Sequence, residues 1–159
     1  MKKPRILRSR IETLESRIAP AFAAVVNLSG LTGADGFKIQ GEAAGDYSGR
    51  SVSGAGDVNG DGFDDLIIGA SGADPNGSSS GASYVVFGKM NGFGATLNLS
   101  TLDGTNGFKI QGEVAGDVSG RSVSGAGDVN GDGFADLIIG AFGASLEGSA
   151  SGASYVVFG

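Results

Sequence analysis

The stretch DVNGDGFDDL, from Asp57 to Leu66, decides the fold, and it returns as DVNGDGFADL from Asp128 to Leu137. Each copy places short oxygen-bearing side chains at positions 1, 3, 5 and 9 of a loop. These side chains are Asp57, Asn59, Asp61 and Asp65 in the first copy and Asp128, Asn130, Asp132 and Asp136 in the second. Calcium takes six to eight oxygen ligands, and acidic side chains at alternate loop positions direct theirs inward. The pattern therefore predicts a calcium ion, Ca2+, in each loop.

The remaining loop positions agree with a metal site. Gly62 and Gly133 occupy position 6, where the chain must turn sharply. At position 7, the backbone carbonyls of Phe63 and Phe134 are further candidate ligands. Two carboxylates about 4 Å apart repel by roughly 4 kcal/mol at an effective dielectric near 20, so a cation would help such a loop to fold. The alternative is a metal-free turn, because Asn-Gly and Asp-Gly are common turn formers.

The sequence after the loop distinguishes between classes of calcium site. An EF-hand or dockerin loop needs an acidic ligand at position 12 and a following helix. Position 12 is Ile68 in one copy and Ile139 in the other, within the apolar run LIIGA, which is typical of a buried strand. Asp64 becomes Ala135 in the second copy, which argues against a role as a ligand.

A calcium loop of type DxDxDGxxD that feeds a strand resembles the FG-GAP repeat of integrin α-chain propellers. The flanking residues SGRSVSGAGDVNGDGFDDLIIGASG and GASYVVFG are laid out like one such blade. The Phe-Gly pair that often opens the motif is replaced by Ser48-Gly49-Arg50-Ser51. The resemblance implies an all-β fold of propeller blades, with calcium between two strands of each blade.

The chain repeats with a period of 71 residues from Phe22 onward, and residues 22–88 align on 93–159 without a gap. We therefore divide it into a basic N-terminal leader or tail (1–21), a first FG-GAP repeat or blade (22–92) and a second (93–159). Each repeat is predicted to hold four strands, and the first two of its five candidate segments are interpreted either as one hairpin arm each or as parts of one bent outer strand. In the first repeat the candidate segments are AVVNLS (24–29), DGFKIQG (35–41), SVSGAGDV (51–58), DLIIGA (65–70) and ASYVVFG (82–88).

Two blades do not close a propeller, which needs about four to eight. The runs LII and YVVF are apolar on both faces, which indicates that both faces of the sheet are covered. We expect a fragment of a larger propeller or longer repeat array, or a ring-forming homo-oligomer. A sandwich of the two units packed face to face is a third possibility.

Composition argues against several functions. The chain of 159 residues has no His and no Cys, which removes the usual general base and any thiol chemistry. With residues 1–21 carrying a net charge of +4, the remainder carries −10, which disfavours nucleic acid as a partner. No run approaches the roughly 18 apolar residues of a membrane span. We therefore predict that the protein is not an enzyme.

The segment 1–21 is basic at its start, and Ala19-Pro20-Ala21 fits a cleavage site. Charged residues interrupt the apolar core that a secretory signal needs, but the segment is similar to the leaders of large bacterial surface and secreted proteins. A basic tail is the alternative. We expect a secreted or cell-surface bacterial protein.

A second polar set, Glu42, Asp46 and Arg50, recurs as Glu113, Asp117 and Arg121. Paired carboxylates can act in acid–base catalysis, but a duplicated set favours a surface salt bridge or extra contacts to the cation. The resemblance implies an adhesion or protein-interaction module that contacts extracellular proteins or polymers through rim loops, with calcium in a structural role. A structural spacer in a large surface protein and an accessory domain of a secreted enzyme remain alternatives.

Overall fold

The computed structural model describes residues 25–145 and 151–159. These residues form nine β-strands and two short 3-10 turns, and no α-helix occurs in these two ranges. The strands are β1 (Lys38–Gln40), β2 (Ser51–Gly56), β3 (Asp65–Ala70), β4 (Ala82–Val86), β5 (Thr96–Asn98), β6 (Gly107–Gln111), β7 (Ser122–Gly127), β8 (Asp136–Ala141) and β9 (Ala153–Val157). The 3-10 turns are Leu28–Gly30 and Leu99–Thr101. The predicted leader or tail (1–21) lies outside the described residues.

The strands form three sheets. The first blade is the antiparallel sheet β2-β3-β4-β6, and the second blade is the antiparallel sheet β7-β8-β9. The third sheet is a ribbon in which β1 and β5 run parallel. The prediction of an all-β fold built from blade-like antiparallel sheets is confirmed. No helix in the described residues is long and apolar enough to cross a bilayer.

Both faces of the first blade are covered along β4 and most of β3, as the apolar runs LII and YVVF predict, although Val52 and Leu66 are exposed. On one face, Ile67 and Val85 pack against Leu137 and Ile139 of the second blade. The other face carries Ile68, Tyr84 and Val86, which pack against residues of the β1-β5 ribbon and its flanks, including Ile39, Leu97 and Leu99. All five residues of β4 are buried in consequence. In the second blade the same prediction is wrong for one face, where Ile138 and Val156 are exposed.

The two blades approach each other along β2 and β7, the strands of sequence SVSGAG. A Cβ atom added at Gly125 in β7 would lie 3.0 Å from the carbonyl oxygen of Gly54 in β2. The backbone N–H of Val123 also donates to the hydroxyl of Ser51 at 3.0 Å. Small residues are therefore required here because two backbones pass close together.

The sheets do not follow the sequence units 22–92 and 93–159. The fourth strand of the first blade is β6, which belongs to the second unit, and its Lys109 lies opposite Tyr84 in β4. Likewise, β1 of the first unit pairs with β5 of the second unit. Each unit therefore contains a strand that pairs with a strand of the other unit. The boundaries of a blade are thus shifted along the chain from the boundaries of the sequence repeat.

The first strand predicted in each unit forms only in the second. Thr96–Asn98 is a strand because β1 lies alongside it, with Ile39 opposite Leu97. The equivalent strand prediction, residues 24–29, is wrong over 25–29, where the chain is irregular and ends in a 3-10 turn. No described strand pairs with these residues, and an isolated apolar segment has no ladder to hold it extended.

Candidate metal centre

Each of the predicted metal loops connects two adjacent strands of a blade. The first leaves β2 after a bulge at Gly54/Gly56 and ends at Asp65, the first residue of β3. The second leaves β7 after the matching bulge at Gly125/Gly127 and ends at Asp136, the first residue of β8. Both loops thus lie at the same end of the strands in their sheets. The two copies of the sequence repeat therefore occupy equivalent positions in the two blades.

Acidic and amide side chains organise the first loop from inside. The carboxylate of Asp57 accepts hydrogen bonds from the backbone N–H groups of Asp61 (3.0 Å) and Gly62 (2.8 Å). Asn59 donates its side-chain amide to the Asp61 carboxylate at 2.9 Å, and that carboxylate also accepts from the N–H of Phe63 at 2.9 Å. The loop is therefore preformed by side chains that bond to its own backbone.

The second loop repeats this network. Asp128 accepts from the N–H groups of Asp132 (3.1 Å) and Gly133 (3.0 Å). Asn130 donates to Asp132 at 2.7 Å, and Asp132 accepts from Phe134 at 2.9 Å. Two independent copies of the sequence thus reach the same local structure.

The last candidate ligand of each loop is fully buried. Asp65 accepts from the backbone N–H of Val58 at 2.9 Å and from that of Gly88 at 2.8 Å, so it joins the loop to the end of β4. Asp136 makes the equivalent bonds to Val129 (2.7 Å) and Gly159 (3.1 Å). Burial raises the pKa of Asp65, and the nearby charges of Asp61 and Asp57 act in the same direction, against the two N–H donors.

The turn residues confirm the sequence argument about glycine. Gly62 and Gly133 have φ values of 87° and 94°, in the left-handed region where a side chain is strained. This conformation lets the N–H groups of both glycines point back at the first aspartate of their own loop.

The donor chemistry of the loops fits calcium, although their carboxylates do not converge. Within the described ranges, no group of three or more acidic side chains is arranged to hold a metal ion. Each carboxylate oxygen has two lone pairs, so Asp57 and Asp61 keep accepting capacity beside their N–H partners. All the candidate ligands are hard oxygen donors, which Ca2+ prefers. The metal role of these residues, including the carbonyls of Phe63 and Phe134, stays a prediction.

The two loops touch each other across the blades. The N–H of Ala135 donates to the carbonyl of Asp57 at 2.9 Å. The ring of Phe134 lies over Gly60, where an added Cβ atom would come within 2.3 Å of it. The loops therefore form one continuous edge of the molecule.

Comparison with known proteins agrees with this geometry. Residues 48–86 and 119–157 match the family model of the FG-GAP repeat. The chain contains two FG-GAP repeats. The two matches begin just before strands β2 and β7 and end at the last residues of β4 and β9, so each covers one metal loop and the three strands around it.

An integrin α-chain is also similar to part of this chain. Mouse integrin alpha-2 is 31% identical to the chain over 99 residues, which cover 62% of this chain. The chain spans about 8% of the length of that integrin. The similarity therefore covers only a small part of the integrin.

Outside the two matched segments lies an ion pair that the sequence did not reveal. Glu42 accepts hydrogen bonds from Lys109 at 2.7 Å and from the hydroxyl of Tyr84 at 2.6 Å. The sequence predicted a salt bridge within the set Glu42, Asp46 and Arg50, but the cation is Lys109, 67 residues away. The alternation of Phe108, Lys109 and Ile110 was the available signal, since it places Lys109 on the polar face of β6.

The other members of that set have local roles in the repeats. Asp46 and Asp117 are buried and accept from the N–H groups of Ala43 and Val114, both at 3.1 Å. The guanidinium of Arg121 lies 5.0 Å from the centre of the Phe142 ring. These contacts stabilise loops and bring no pair of carboxylates together around a substrate site.

Proposed function

We propose that the chain is a calcium-stabilised adhesion or protein-interaction module that acts outside the cell and is not an enzyme. The observation that carries this proposal is the pair of matched loops, each filled with hard oxygen donors, at one edge of two FG-GAP repeats. Similarity to an integrin α-chain supports the interaction role. The lack of His and Cys supports a non-enzymatic protein.

In this proposal, calcium binds between the two strands that each loop connects. Asp57, Asn59, Asp61 and Asp65, with the carbonyl of Phe63, hold one ion, and Asp128, Asn130, Asp132, Asp136 and the carbonyl of Phe134 hold the other. Binding to the folded state alone would stabilise the fold. The ion would also offset the repulsion between the carboxylates of each loop.

Calcium titration and thermal unfolding test the metal site. We expect about two equivalents of calcium to bind and a chelator to lower Tm. Asp61→Ala and Asp132→Ala should each lose about one equivalent, because each removes one ligand of one loop. Asp64→Ala is the matched control, since Asp64 lies beside the ligands and is exposed. A melting curve that is the same in chelator and in excess calcium would contradict the metal role.

The interaction role needs a separate test, because calcium binding does not identify a partner. Immobilised extracellular proteins and polysaccharides can be used to capture the purified chain with and without calcium. Calcium-dependent retention would support contacts through rim loops. Failure to bind any of them, with the metal sites intact, would favour a structural spacer.

A further inference from the structure

The molecule contains one interface between its two blades. Residues equivalent to each side of this interface are exposed elsewhere on the molecule. Inside the molecule, the first blade contributes Val58, Ile67 and Val85, and the second blade contributes Val123 and Leu137; all of these are buried. We call the first surface the donor face and the second the acceptor face. Because the repeat period is 71 residues, each face has a counterpart on the other blade.

The two counterparts are exposed and apolar. On the second blade, the counterparts of the donor-face residues are Val129, Ile138 and Val156, which are 59%, 39% and 46% exposed. On the first blade, the counterparts of the acceptor-face residues are Val52 and Leu66, which are 65% and 37% exposed. The molecule thus carries an open donor face on the second blade. On the first blade the acceptor face is open at Val52 and Leu66, beside the part around Ile68 that the β1-β5 ribbon covers. The exposed side chains are of the same types as those that already fit each other inside the molecule.

The strand edges are complementary in the same way. Inside the molecule, β4 pairs with β6, with Tyr84 opposite Lys109. The counterpart of β4 is β9, whose other edge pairs with no described strand. The counterpart of β6 is β1, which pairs only with β5 among the described strands.

The free edge of β1 is the edge that β6 uses. In β6, the N–H of Gly112 points to β4, where it donates to Gly81 at 2.8 Å. In β1, the N–H of Lys38 points to the β5 side, where it donates to Ala95 at 3.0 Å. Since N–H groups alternate along a strand, Ile39 and Gly41 direct theirs to the open edge, as Ile110 and Gly112 do in β6.

Charges at these edges match as well. Inside the molecule, Glu42 forms an ion pair with Lys109 of the strand that is added to β4. Their counterparts, Glu113 and Lys38, take part in no ion pair within the described ranges. Pairing of β9 with the β1 strand of another molecule would place Lys38 opposite Tyr155, beside Glu113.

We propose that a second copy of this chain docks head to tail on the second blade. Its β1 strand pairs with β9, and its acceptor face at Val52 and Leu66 covers Val129, Ile138 and Val156. This assembly goes beyond the proposed function, because it needs neither calcium nor an extracellular partner. Head-to-tail contacts close into a ring where the rotation permits. With two blades per copy, a propeller of about four to eight blades takes about two to four copies.

A glycine pair provides a variant that blocks docking without touching the interior. A Cβ atom at Gly69 in β3 would lie within 1.9 Å of the carbonyl oxygen of Gly120 on the second blade. At the counterpart Gly140 in β8, the nearest atom is the Cβ of Ser122 at 3.5 Å, an ordinary contact. Gly140→Ala is therefore tolerated by the single molecule, whereas in the docked pair it collides with Gly49 of the second copy, the counterpart of Gly120.

The mass of the 159-residue chain in solution, measured by light scattering over a concentration series in chelator and in calcium, tests the proposal. We expect the wild-type mass to rise from 15.7 kDa to about two to four times that value. Gly140→Ala should stay at the single-chain mass with an unchanged Tm, and Met90→Ala, an exposed position outside both faces, should assemble like the wild type. A wild type that stays single at every concentration, or a Gly140→Ala protein that assembles equally well, overturns the proposal.

Cross-linking tests the direction of docking. In the interior, Ala82 lies opposite Gln111, so Ala153 of one copy should lie opposite Gln40 of the next. The chain has no Cys, so Ala153→Cys and Gln40→Cys proteins each carry one thiol, and facing residues of paired strands are close enough for a disulfide. We expect a cross-linked dimer when the two variants are mixed. Cross-linking of either variant with itself at the same rate, or no mixed dimer, overturns head-to-tail docking.

Discussion

Asp65 is fully buried, and both of its carboxylate oxygens accept backbone hydrogen bonds. It therefore holds the first loop to the end of β4 without the help of a metal ion. A side chain with one accepting oxygen cannot satisfy both N–H groups, and a buried unpaired donor destabilises a fold by about 1–3 kcal/mol.

We therefore expect Asp65→Asn to lower the free energy of unfolding by about 1–3 kcal/mol in the presence of chelator. Urea unfolding with and without calcium measures this loss. The neighbouring exposed Asp64→Asn is the control and should change the free energy by less than about 0.5 kcal/mol. If the loss appears only in calcium, Asp65 acts solely as a metal ligand.

The ion pair of Glu42 makes the stability depend on pH. Hydrogen bonds from Lys109 and Tyr84 lower the pKa of Glu42 below its ordinary value. The bonds therefore stabilise the folded state above the pKa of the unfolded chain, about 4.3. This contribution is lost as the pH falls through the lower pKa of the folded state.

We expect the wild type to be more stable than Glu42→Gln by up to about 1 kcal/mol at neutral pH. The difference should disappear as the pH falls through the lowered pKa of Glu42 in the folded state, because both proteins then carry an uncharged group. Glu113→Gln is the matched control, since Glu113 forms no ion pair among the described residues. A Glu42→Gln difference that is constant with pH would show that the charge of Glu42 contributes nothing. Chemical unfolding in a series of buffers gives the answer.

Single residues were predictable where the sequence carries local geometry. The positive φ of Gly62 and Gly133 follows from the loop pattern, because the turn and its aspartate are only a few residues apart. The partner of Glu42 was not predictable, because Lys109 reaches it through pairing of two strands from different units. Spacing along the chain does not encode a contact of that kind.

At the scale of elements, Gly69 and Gly140 show that one sequence position has different tolerance in each blade. Gly69 in β3 faces the backbone of Gly120 on the second blade, and Gly140 in β8 faces the side chain of Ser122 at an ordinary distance. Overpacking a tight contact typically destabilises a protein by about 1–3 kcal/mol.

Gly69→Ala should lower the free energy of unfolding by about 1–3 kcal/mol or more, because the added methyl group pushes the blades apart. Gly140→Ala should have an effect of less than about 0.5 kcal/mol, measured at a concentration where the chain is single. Thermal or urea unfolding of both variants tests this. Equal losses would mean that the blades do not pack through β3.

The strands with apolar residues on both faces were predictable, since LIIGA and ASYVV form β3, β4, β8 and β9 in both repeats. Which strands share a sheet was not predictable from the repeat. Thr96–Asn98 forms a strand and residues 25–27 do not, although the two segments occupy equivalent positions. The reason is tertiary, because β1 pairs with the former and no described strand pairs with the latter.

At the scale of the whole molecule, two strand pairings link the sequence units. β6 pairs with β4 in the first blade, and β5 pairs with β1. Two strand pairings therefore connect the part of the chain before the exposed segment 88–95 with the part after it. A protease site inserted after Met90, which is exposed, allows the chain to be cut there.

We expect the two cut fragments to stay together through both ladders and the buried face between the blades. They should elute as one species under native conditions and separate in denaturant. Separate elution under native conditions would show that the ladders are weaker than the geometry indicates.

The strand that each unit gives away has a consequence for how such a chain grows. When a 71-residue stretch is duplicated in tandem, one of its strands pairs with the sheet of the preceding copy. The sheet of the duplicated stretch is then completed by the equivalent strand of the following copy. The position at which the duplicated stretch begins therefore does not affect the result. Any stretch of 71 residues adds one complete sheet and leaves the existing sheets intact.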